Sequence, residues 1–294
     1  MDITLLDLGF CDKFGNSLDK VSQLFKIAPV LESLNYKRLW LGEHYDNDIA
    51  WRSPEILIGL LLGLTDKLRI GSAGNLLMLH SPLRLVNDFS MLESIFTNRV
   101  DMGIAGGISS KENIIALTGS DIFQMTFDEK VKILFEYFSS SESVKTASSF
   151  LKSPPYIKNL RPNTWFLSGG NSKVDLAIKY KSNYAWSIFH KSKSQWSSPN
   201  SFIQFQTKYY EVHRELPETI LAIGMFCSEN KKTVQRIKAI YLNKPFSTII
   251  GSKDECTEKI SSILKYFKSV KEIAVIDLSF KYNEKLESCR LVLF

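Results

Sequence analysis

Two kinds of apolar pattern alternate along the chain. Short runs of β-branched and aromatic residues predict buried strands, and longer segments with an apolar residue every three or four positions predict helices. The predicted strands cover residues 3–9, 38–42, 68–73, 100–105, 164–168, 184–188, 219–227 and 272–277. The predicted helices cover residues 19–34, 54–64, 82–96, 127–138, 173–181, 200–214, 230–242 and 254–268.

The order of these elements predicts the fold. Near-continuous apolar strands separated by helices are typical of a parallel sheet whose faces are covered by helices. About eight such units favour a closed (β/α)8 TIM barrel. An open doubly wound sheet is less favoured, because Gly9-Phe10-Cys11 follows the first strand where a glycine-rich dinucleotide fingerprint would stand. We therefore predict an α/β protein with one barrel domain over residues 1–294.

Composition narrows the function without changing this picture. The 294 residues are 44% hydrophobic and 23% charged, as in an ordinary globular protein. The net charge of +6 comes from scattered lysines and not from a basic stripe, so nucleic acid is not the predicted partner. The same charge favours an anionic cofactor or an acidic substrate.

The cysteines and the apolar runs bear on the compartment. The four cysteines, at positions 11, 227, 256 and 289, form no CxxC pair, which favours a reducing environment and argues against a zinc site or a disulfide framework. The longest apolar run, residues 56–64, is far shorter than the ~20 residues of a membrane helix. Asp2 and Asp7 interrupt the first apolar stretch, so no secretory signal is predicted. We expect a cytoplasmic protein with no membrane partner and no metal site.

Candidate chemistry begins after the second strand, because (β/α)8 barrels build their active sites at the C-terminal ends of the strands. Glu43, His44 and Tyr45 follow that strand. An imidazole there can donate a proton to a reacting group or hold one. A lone histidine is equally often a surface residue, and its place directly after a buried strand favours the functional interpretation.

Small residues follow the next three strands. They are Ser72, Ala73, Gly74 and Asn75 after the third, Gly103 to Gly107 after the fourth, and Ser168, Gly169, Gly170, Asn171 and Ser172 after the fifth. Stretches without Cβ atoms let a flat ligand lie against the backbone, although a tight turn explains them as well. The last stretch leads into a helix, whose N-terminus favours a phosphate. Barrels more often bind phosphate after strands seven and eight.

Two segments interrupt the alternation. Residues 139–149 and 190–201 are poor in apolar residues and predict surface connectors. The second follows the end of a strand, so an active-site lid is an alternative there.

These motifs, in this order, resemble the luciferase-like flavin monooxygenases over nearly the whole chain. The resemblance rests on Glu43-His44; on Arg69-Ile70-Gly71-Ser72 with Leu79-His80-Ser81-Pro82-Leu83-Arg84; on Leu92-Glu93 with Asn98-Arg99-Val100-Asp101-Met102-Gly103; on Trp165-Phe166-Leu167-Ser168-Gly169-Gly170; and on Ile249-Ile250-Gly251-Ser252 with the last predicted strand. The family implies an eight-stranded barrel, often a dimer packed through helices two and three.

The resemblance also implies a cofactor and roles for these residues. The expected cofactor is reduced FMN, and a deazaflavin analogue is the less favoured alternative. A flavin reductase or NAD(P)H would supply the electrons. His44 would lie near the reactive edge of the flavin. The ring would lie along Ser72, Ala73, Gly74 and Asn75, with a non-proline cis peptide in that stretch. The five residues from Ser168 to Ser172 would hold the phosphate.

The chain departs from the family pattern in three places. Tyr45 replaces a second histidine, Gly106 stands where many members carry a phosphate-binding arginine, and the segment between the fourth and fifth strands is short. A charge-assisted contact is worth about 1.5–3 kcal/mol, so without that arginine we expect loose flavin binding unless a lysine compensates.

Three functions remain open from the sequence. The favoured one is a monooxygenase that uses reduced FMN and O2 in an apolar pocket, for which Phe10, Trp40, Trp186 and Phe189 are candidate walls, Trp40 being better explained as core. The second is a reductase of an activated double bond, with His44 or Tyr45 as the acid and a small molecule or a modified peptide as substrate. The third is a non-catalytic structural subunit.

Overall fold

Strands and helices alternate along the chain in the computed structural model, which describes residues 1–11, 16–45, 48–107, 110–120, 125–139, 160–191, 195–244 and 246–292. The strands are β1 (Asp2–Asp7), β2 (Arg38–Leu41), β3 (Arg69–Leu76), β4 (Val100–Ala105), β5 (Asn163–Ser168), β6 (Asn183–Ser187), β7 (Thr219–Cys227), β8 (Thr248–Gly251) and β9 (Glu272–Asp277). The helices are α1 (Ser17–Ser33), α2 (Pro54–Leu64), α3 (Pro82–Ile95), α4 (Lys111–Thr118), α5 (Phe127–Ser139), α6 (Val174–Lys179), α7 (Ser201–His213), α8 (Lys231–Tyr241), α9 (Lys253–Tyr266) and α10 (Tyr282–Leu291). Within these ranges no helix has the length and apolar content needed to cross a membrane.

Eight of the strands close into a parallel barrel, which confirms the predicted fold. Strands β1 to β7 pair in sequence order, and β9 closes the ring by pairing with both β7 and β1. β8 lies outside this ring and pairs with Gly224–Cys227, the C-terminal half of β7. Because all strands run in parallel, their C-terminal ends meet at one rim, where barrels hold their active sites.

Three elements depart from the sequence prediction. The four-residue strand β8 and the helices α4 and α10 were not predicted. α10 has the sequence YNEKLESCRL, which carries few apolar positions, so its helical period is weak. Of the predicted connector 139–149, Ser139 ends α5 and the rest lies outside the described residues. The lid interpretation of residues 190–201 includes 192–194, which also lie outside them.

Alternate strand residues face the barrel axis and the surrounding helices. On β2, Leu39 and Leu41 pack in the layer between barrel and helices, whereas Trp40 packs inside the barrel. Trp40 is fully buried and its ring meets that of Trp165 edge-on at 5.0 Å between centroids. The barrel is therefore a filled core, and space for a ligand is confined to its ends.

A network of charges fills the N-terminal end of the barrel. The guanidinium of Arg38, fully buried, donates to Asp101 at 2.9 Å, to Glu272 at 2.8 Å and to Glu218 at 2.7 Å. Asp101 also accepts from Arg69 at 2.8 Å. Burial raises the pKa of Asp101, but the charges of Arg38 and Arg69 outweigh burial and hold it well below its ordinary value. The bottom of the barrel is thus held by paired charges and not by apolar packing.

A second buried charge cluster supports the opposite rim between β1 and β9. Asp7 and Asp277 end these two strands, and each is approached by Lys20 of α1 and Lys285 of α10. Lys285 lies 3.0 Å from Asp277, and all four residues are at most 5% exposed. Two positive and two negative groups make this cluster, called here the rim charge cluster, neutral overall.

Candidate active site

The predicted site residues collect on half of the C-terminal rim. β2, β3, β4 and β5 are consecutive neighbours in the barrel. His44 and Gly106 follow β2 and β4, and Asn75 and Ser168 lie at the C-terminal ends of β3 and β5. Side chains far apart in sequence therefore surround one region of the rim, as the sequence predicts.

The seam between β3 and β4 is tightly bonded. The Ala73–Gly74 peptide is cis, which confirms the expectation from the family resemblance, and the strand register shifts between Ser72 and Asn75. Asn75 Nδ2 donates to Ser72 Oγ at 2.8 Å and to the carbonyl of Gly103 at 3.0 Å. The Gly103 amide donates to Ser72 Oγ at 3.1 Å. The fully buried Ser72 and Asn75 side chains thus hold the two strands together.

The glycines of this seam are required by strand packing. A Cβ added to Gly103 would lie 2.4 Å from the carbonyl oxygen of Ser72, and one added to Gly74 would lie 2.9 Å from the backbone of Gly103. Strand packing alone explains these two glycines, so their missing Cβ atoms are not evidence for a flat ligand. The interpretation that a ligand ring lies along Gly74 stays a prediction. One polar atom of the seam remains for a ligand: Asn75 Oδ1 is buried and accepts no hydrogen bond from the described residues.

Glu43 organises the segment after β2. Its carboxylate is 2% exposed and accepts hydrogen bonds from the Leu76 amide at 2.8 Å, the Tyr45 hydroxyl at 2.5 Å and His80 Nε2 at 2.8 Å. His80 was not among the predicted site residues. These contacts join the end of β2 to the end of β3, so they fix the backbone that carries His44.

His80 lies between two carboxylates. Burial alone would lower its pKa, but the hydrogen bond and charge of Glu43 and the charge of Glu55 raise it above the ordinary value. Burial raises the pKa of Glu55. Ligand atoms of the three side chains lie within 4.8 Å of one another, a spacing that a divalent metal accepts. Even with no metal bound, the direct hydrogen bond from His80 to Glu43 gives the cluster an internal ion pair.

Tyr45, a predicted acid, has its hydroxyl engaged away from the rim. It donates to Glu43, and burial and that hydrogen bond raise its pKa above the ordinary value. The residue lines a cavity of about 610 Å³ between α2 and α3, together with Glu55 and His80. This geometry favours a role in holding Glu43 over proton donation at the rim.

His44 is half-buried at the rim, beside Gly42. A Cβ on Gly42 would lie 3.2 Å from the His44 ring. A second imidazole, His190, stands near it after β6, with its ring 4.7 Å from that of Phe189 and 5.4 Å from that of Phe246 between centroids. Partial desolvation of the His190 ring, and then the neighbouring His44, lower the pKa of His190. Two imidazoles therefore lie at this part of the rim.

The loop after β5 has the hydroxyls and amides of an anion site. Ser168 Oγ accepts from the Gly170 amide at 3.2 Å and lies 3.3 Å from Ser172 Oγ. Tyr184 supports the loop from outside by donating to the Gly170 carbonyl at 2.7 Å. The Asn171 side chain is committed elsewhere, since its Oδ1 accepts from Trp186 at 2.8 Å. The following helix, α6, has only six residues, so its dipole adds little.

Two lysines lie against this loop. The Lys191 side chain crosses Gly169 so closely that a Cβ there would lie 2.7 Å from its Cε, and a Cβ on Gly170 would lie 3.4 Å from its Nζ. Lys173 lies against Gly106, with its Cε 3.7 Å from the position of a Cβ on that glycine. The sequence analysis identified neither lysine as a site residue: Lys173 directly follows Ser172, and Lys191 follows a different strand, β6.

Of the four predicted aromatic walls, two remain near the rim. Phe189 packs in the barrel interior against Phe246 and Phe10 packs at its edge. Trp40 is core, as the sequence favoured, and its Nε1 donates to Asp101 at 3.0 Å. Trp186 faces the helices instead of the pocket, since its ring stacks 4.3 Å from Phe202 of α7.

The fold and this rim define a (β/α)8 barrel with a polar site at the C-terminal ends of its strands. Comparison with known proteins assigns the family. Residues 6–200 match the family model described as luciferase-like monooxygenase. The chain therefore belongs to the luciferase-like monooxygenase family.

Individual relatives agree with this assignment. The chain is similar to the uncharacterised protein YwcH of Bacillus subtilis (strain 168), with 20% identity over 99% of the chain and 98% of the relative. It is 26% identical to the N-acetyl-S-alkylcysteine monooxygenase of the same organism, over 64% of this chain and 57% of that protein. Among solved structures, apo-MsnO8 superposes with a TM-score of 0.79 at 20% identity, covering 99% of this chain and 97% of that one. The oxygenating constituent of 3,6-diketocamphane monooxygenase from Pseudomonas putida, in complex with FMN, gives 0.75 at 14%, covering 99% and 96%.

Proposed function

We propose that this protein is a flavin-dependent monooxygenase that uses reduced FMN and molecular oxygen. One observation carries the proposal: the imidazole of His44 and the serine–glycine loop from Ser168 to Ser172 lie on the same half of the rim. Family membership supports oxidoreductase chemistry. The relatives include an FMN complex and an F420-dependent dehydrogenase, so a flavin-type cofactor is the common element.

The residues present fit such a cofactor at both of its ends. The buried, unpaired Asn75 Oδ1 is an acceptor of the kind that a flavin ring N–H satisfies. The hydroxyls of Ser168 and Ser172 and the amides of Gly169 and Gly170 would hold the phosphate. Ala73 and Gly74 would border the ring, and Gly106 leaves the β4 side of the site without a side chain.

The chain's own residues would direct the chemistry. Reduced FMN, when bound, supplies two electrons and activates oxygen. His44, fixed by its neighbour Glu43, would hold or donate a proton at the reacting edge. Phe10 and Phe189 would exclude water from that edge, which protects reactive species from hydrolysis.

Partners belong to the same proposal. Electrons would come from a flavin reductase or from NAD(P)H, and the substrate would be a small molecule or a peptide. We also propose a homodimer through α2 and α3, because their outer faces leave large apolar side chains exposed. These are Ile56, Leu60 and Leu64 on α2 and Met91 and Ile95 on α3, each at least 44% exposed.

The test is to bind reduced FMN to the purified protein without oxygen, admit air and follow the flavin absorbance. A monooxygenase delays the return of the oxidised spectrum relative to free FMN, and His44→Gln shortens that delay. Bound flavin that reoxidises in one fast phase favours a reductase of activated alkenes instead. Absence of binding contradicts both and favours a structural subunit.

A further inference from the structure

A phosphate group bound at the Ser168 to Ser172 loop would need a positively charged side chain to balance its charge. A phosphate monoester carries a charge of about −1.5 to −2 at pH 7. Gly106 supplies none, and α6 is too short to contribute much. Among the described residues, Lys173 and Lys191 border the loop, so the question is which of them is available to an anion.

Lys173 is already engaged. Its Nζ lies 3.8 Å from the carboxylate of Asp128 and 4.0 Å from the centre of the Phe127 ring. Both contacts hold the ammonium on the α5 side of the loop. An anion would have to compete with Asp128 for it.

Lys191 is placed differently. Its side chain crosses the loop at Gly169, with Nζ within 3.5 Å of the Cβ positions of both Gly169 and Gly170. Among the described residues no carboxylate pairs with this ammonium. A half-buried cation thus lies against Gly169 and Gly170 of the loop, with no carboxylate partner among the described residues.

The backbone beneath Lys191 is held in place. Ser247, just before β8, donates its hydroxyl to the Lys191 carbonyl and its amide to the Phe189 carbonyl at 2.7 Å. The Lys191 amide donates to Ile188 at 3.3 Å. Because its main chain is fixed, Lys191 loses less freedom when it binds a ligand, and preorganisation of this kind strengthens binding.

We propose that Lys191 is the phosphate-binding cation of this protein and makes the site selective for a flavin that carries a 5′-phosphate. The inference rests on the proposed flavin function and deepens it. The positive charge then comes from the segment that follows β6 and not from the Gly106 position after β4. A Cβ at position 169 would displace the Lys191 side chain, so glycine there lets the lysine cross the loop.

The test compares reduced FMN with reduced riboflavin, which has the same ring and no phosphate. Dissociation constants are measured without oxygen for wild type, Lys191→Met, Lys191→Arg and Lys173→Met, with Lys232→Met as an exposed-lysine control. One charge-assisted contact corresponds to an affinity change of roughly 10- to 100-fold. Wild type should therefore prefer FMN by about that factor, and inorganic phosphate should weaken the binding of FMN and not of riboflavin.

Lys191→Met should remove most of this preference and leave the riboflavin constant unchanged, whereas Lys191→Arg and Lys232→Met should keep it. A Lys191→Met protein with the wild-type preference overturns the inference, and so does a larger loss in Lys173→Met. Wild type that binds both flavins equally overturns it while the flavin function stands. Wild type that binds neither flavin overturns the proposed function as well.

Discussion

Replacing Lys285 by methionine tests how the rim charge cluster supports the site. The Lys285 ammonium is fully buried and lies 3.0 Å from Asp277, with Asp7 as its second partner. Without it, two buried carboxylates share the single cation of Lys20, which is 3.5 Å from Asp277 and 3.9 Å from Asp7. The cluster changes from neutral to a net charge of about −1.

The structure gives the expected magnitude. Burial would raise the pKa of Asp277, but Lys285 and then Lys20 lower it from 3.8 to about 2. At about 1.36 kcal/mol per pKa unit, this shift corresponds to roughly 2–3 kcal/mol, and breaking a buried ion pair costs about 3–5 kcal/mol. We expect Lys285→Met to lose about 3 kcal/mol of unfolding free energy at pH 7. Because the folded pKa is the lower one, this stabilisation is present above about pH 4 and is lost as the pH falls towards 2.

The assay is urea unfolding at pH 7 and at pH values from 4 towards 2, where the stabilisation should be lost, followed by circular dichroism and by tryptophan fluorescence. The matched control is Lys281→Met, because Lys281 is exposed and directly precedes the same helix. Its unfolding free energy should stay within about 0.5 kcal/mol of wild type. Adding Asp7→Asn to Lys285→Met restores neutrality and should recover part of the loss. A loss below about 1 kcal/mol in Lys285→Met, or a double variant less stable than the single one, refutes the reasoning.

Three further substitutions test other parts of the rim. Gly169→Ala puts a Cβ 2.7 Å from Lys191 Cε, so it should displace that side chain and weaken FMN binding by about tenfold in a titration, with riboflavin binding unchanged. Glu43 should stabilise the folded protein through protonated His80, fully below about pH 6.5 and less as the pH rises through the raised pKa of His80. His80→Gln should remove this pH dependence from thermal melts measured between pH 5.5 and 9. A variant that keeps the dependence contradicts the assignment. Gly103→Ala brings a Cβ to 2.4 Å from a backbone oxygen of β3 and should cost about 1–3 kcal/mol in urea unfolding, while unchanged stability refutes the tight seam.

The barrel could be predicted from sequence because each of its strands is a short apolar run between longer helical patterns. β8 escaped prediction, since four residues that pair outside the ring carry too short a pattern. α10 escaped because its ten residues bury mainly Lys285, Ser288 and Cys289, so polar side chains occupy its inner face. A pattern of apolar and polar positions cannot identify a face that is buried through ion pairs.

The candidate site likewise contains residues that the sequence could identify and residues that it could not. Residues at or just beyond the ends of strands, such as Ser168 and His44, could be placed at the rim because parallel strands end together. His80 and Lys191 could not, because their importance comes from what lies across from them: Glu43 for the first and Gly169 for the second. Sequence showed that a charge was missing at Gly106, and only the three-dimensional arrangement shows that Lys191 lies against the loop.

Ser247 makes the position of Lys191, and so the binding of the proposed ligand, depend on a distant part of the chain. Its hydroxyl and amide hold the carbonyls of Lys191 and Phe189, although 56 residues separate Ser247 from Lys191. A displacement of Ser247 would therefore change the position of the lysine over Gly169. A substitution of Ser247 would tune how long a bound anion resides, while every group proposed to touch that anion stays chemically the same.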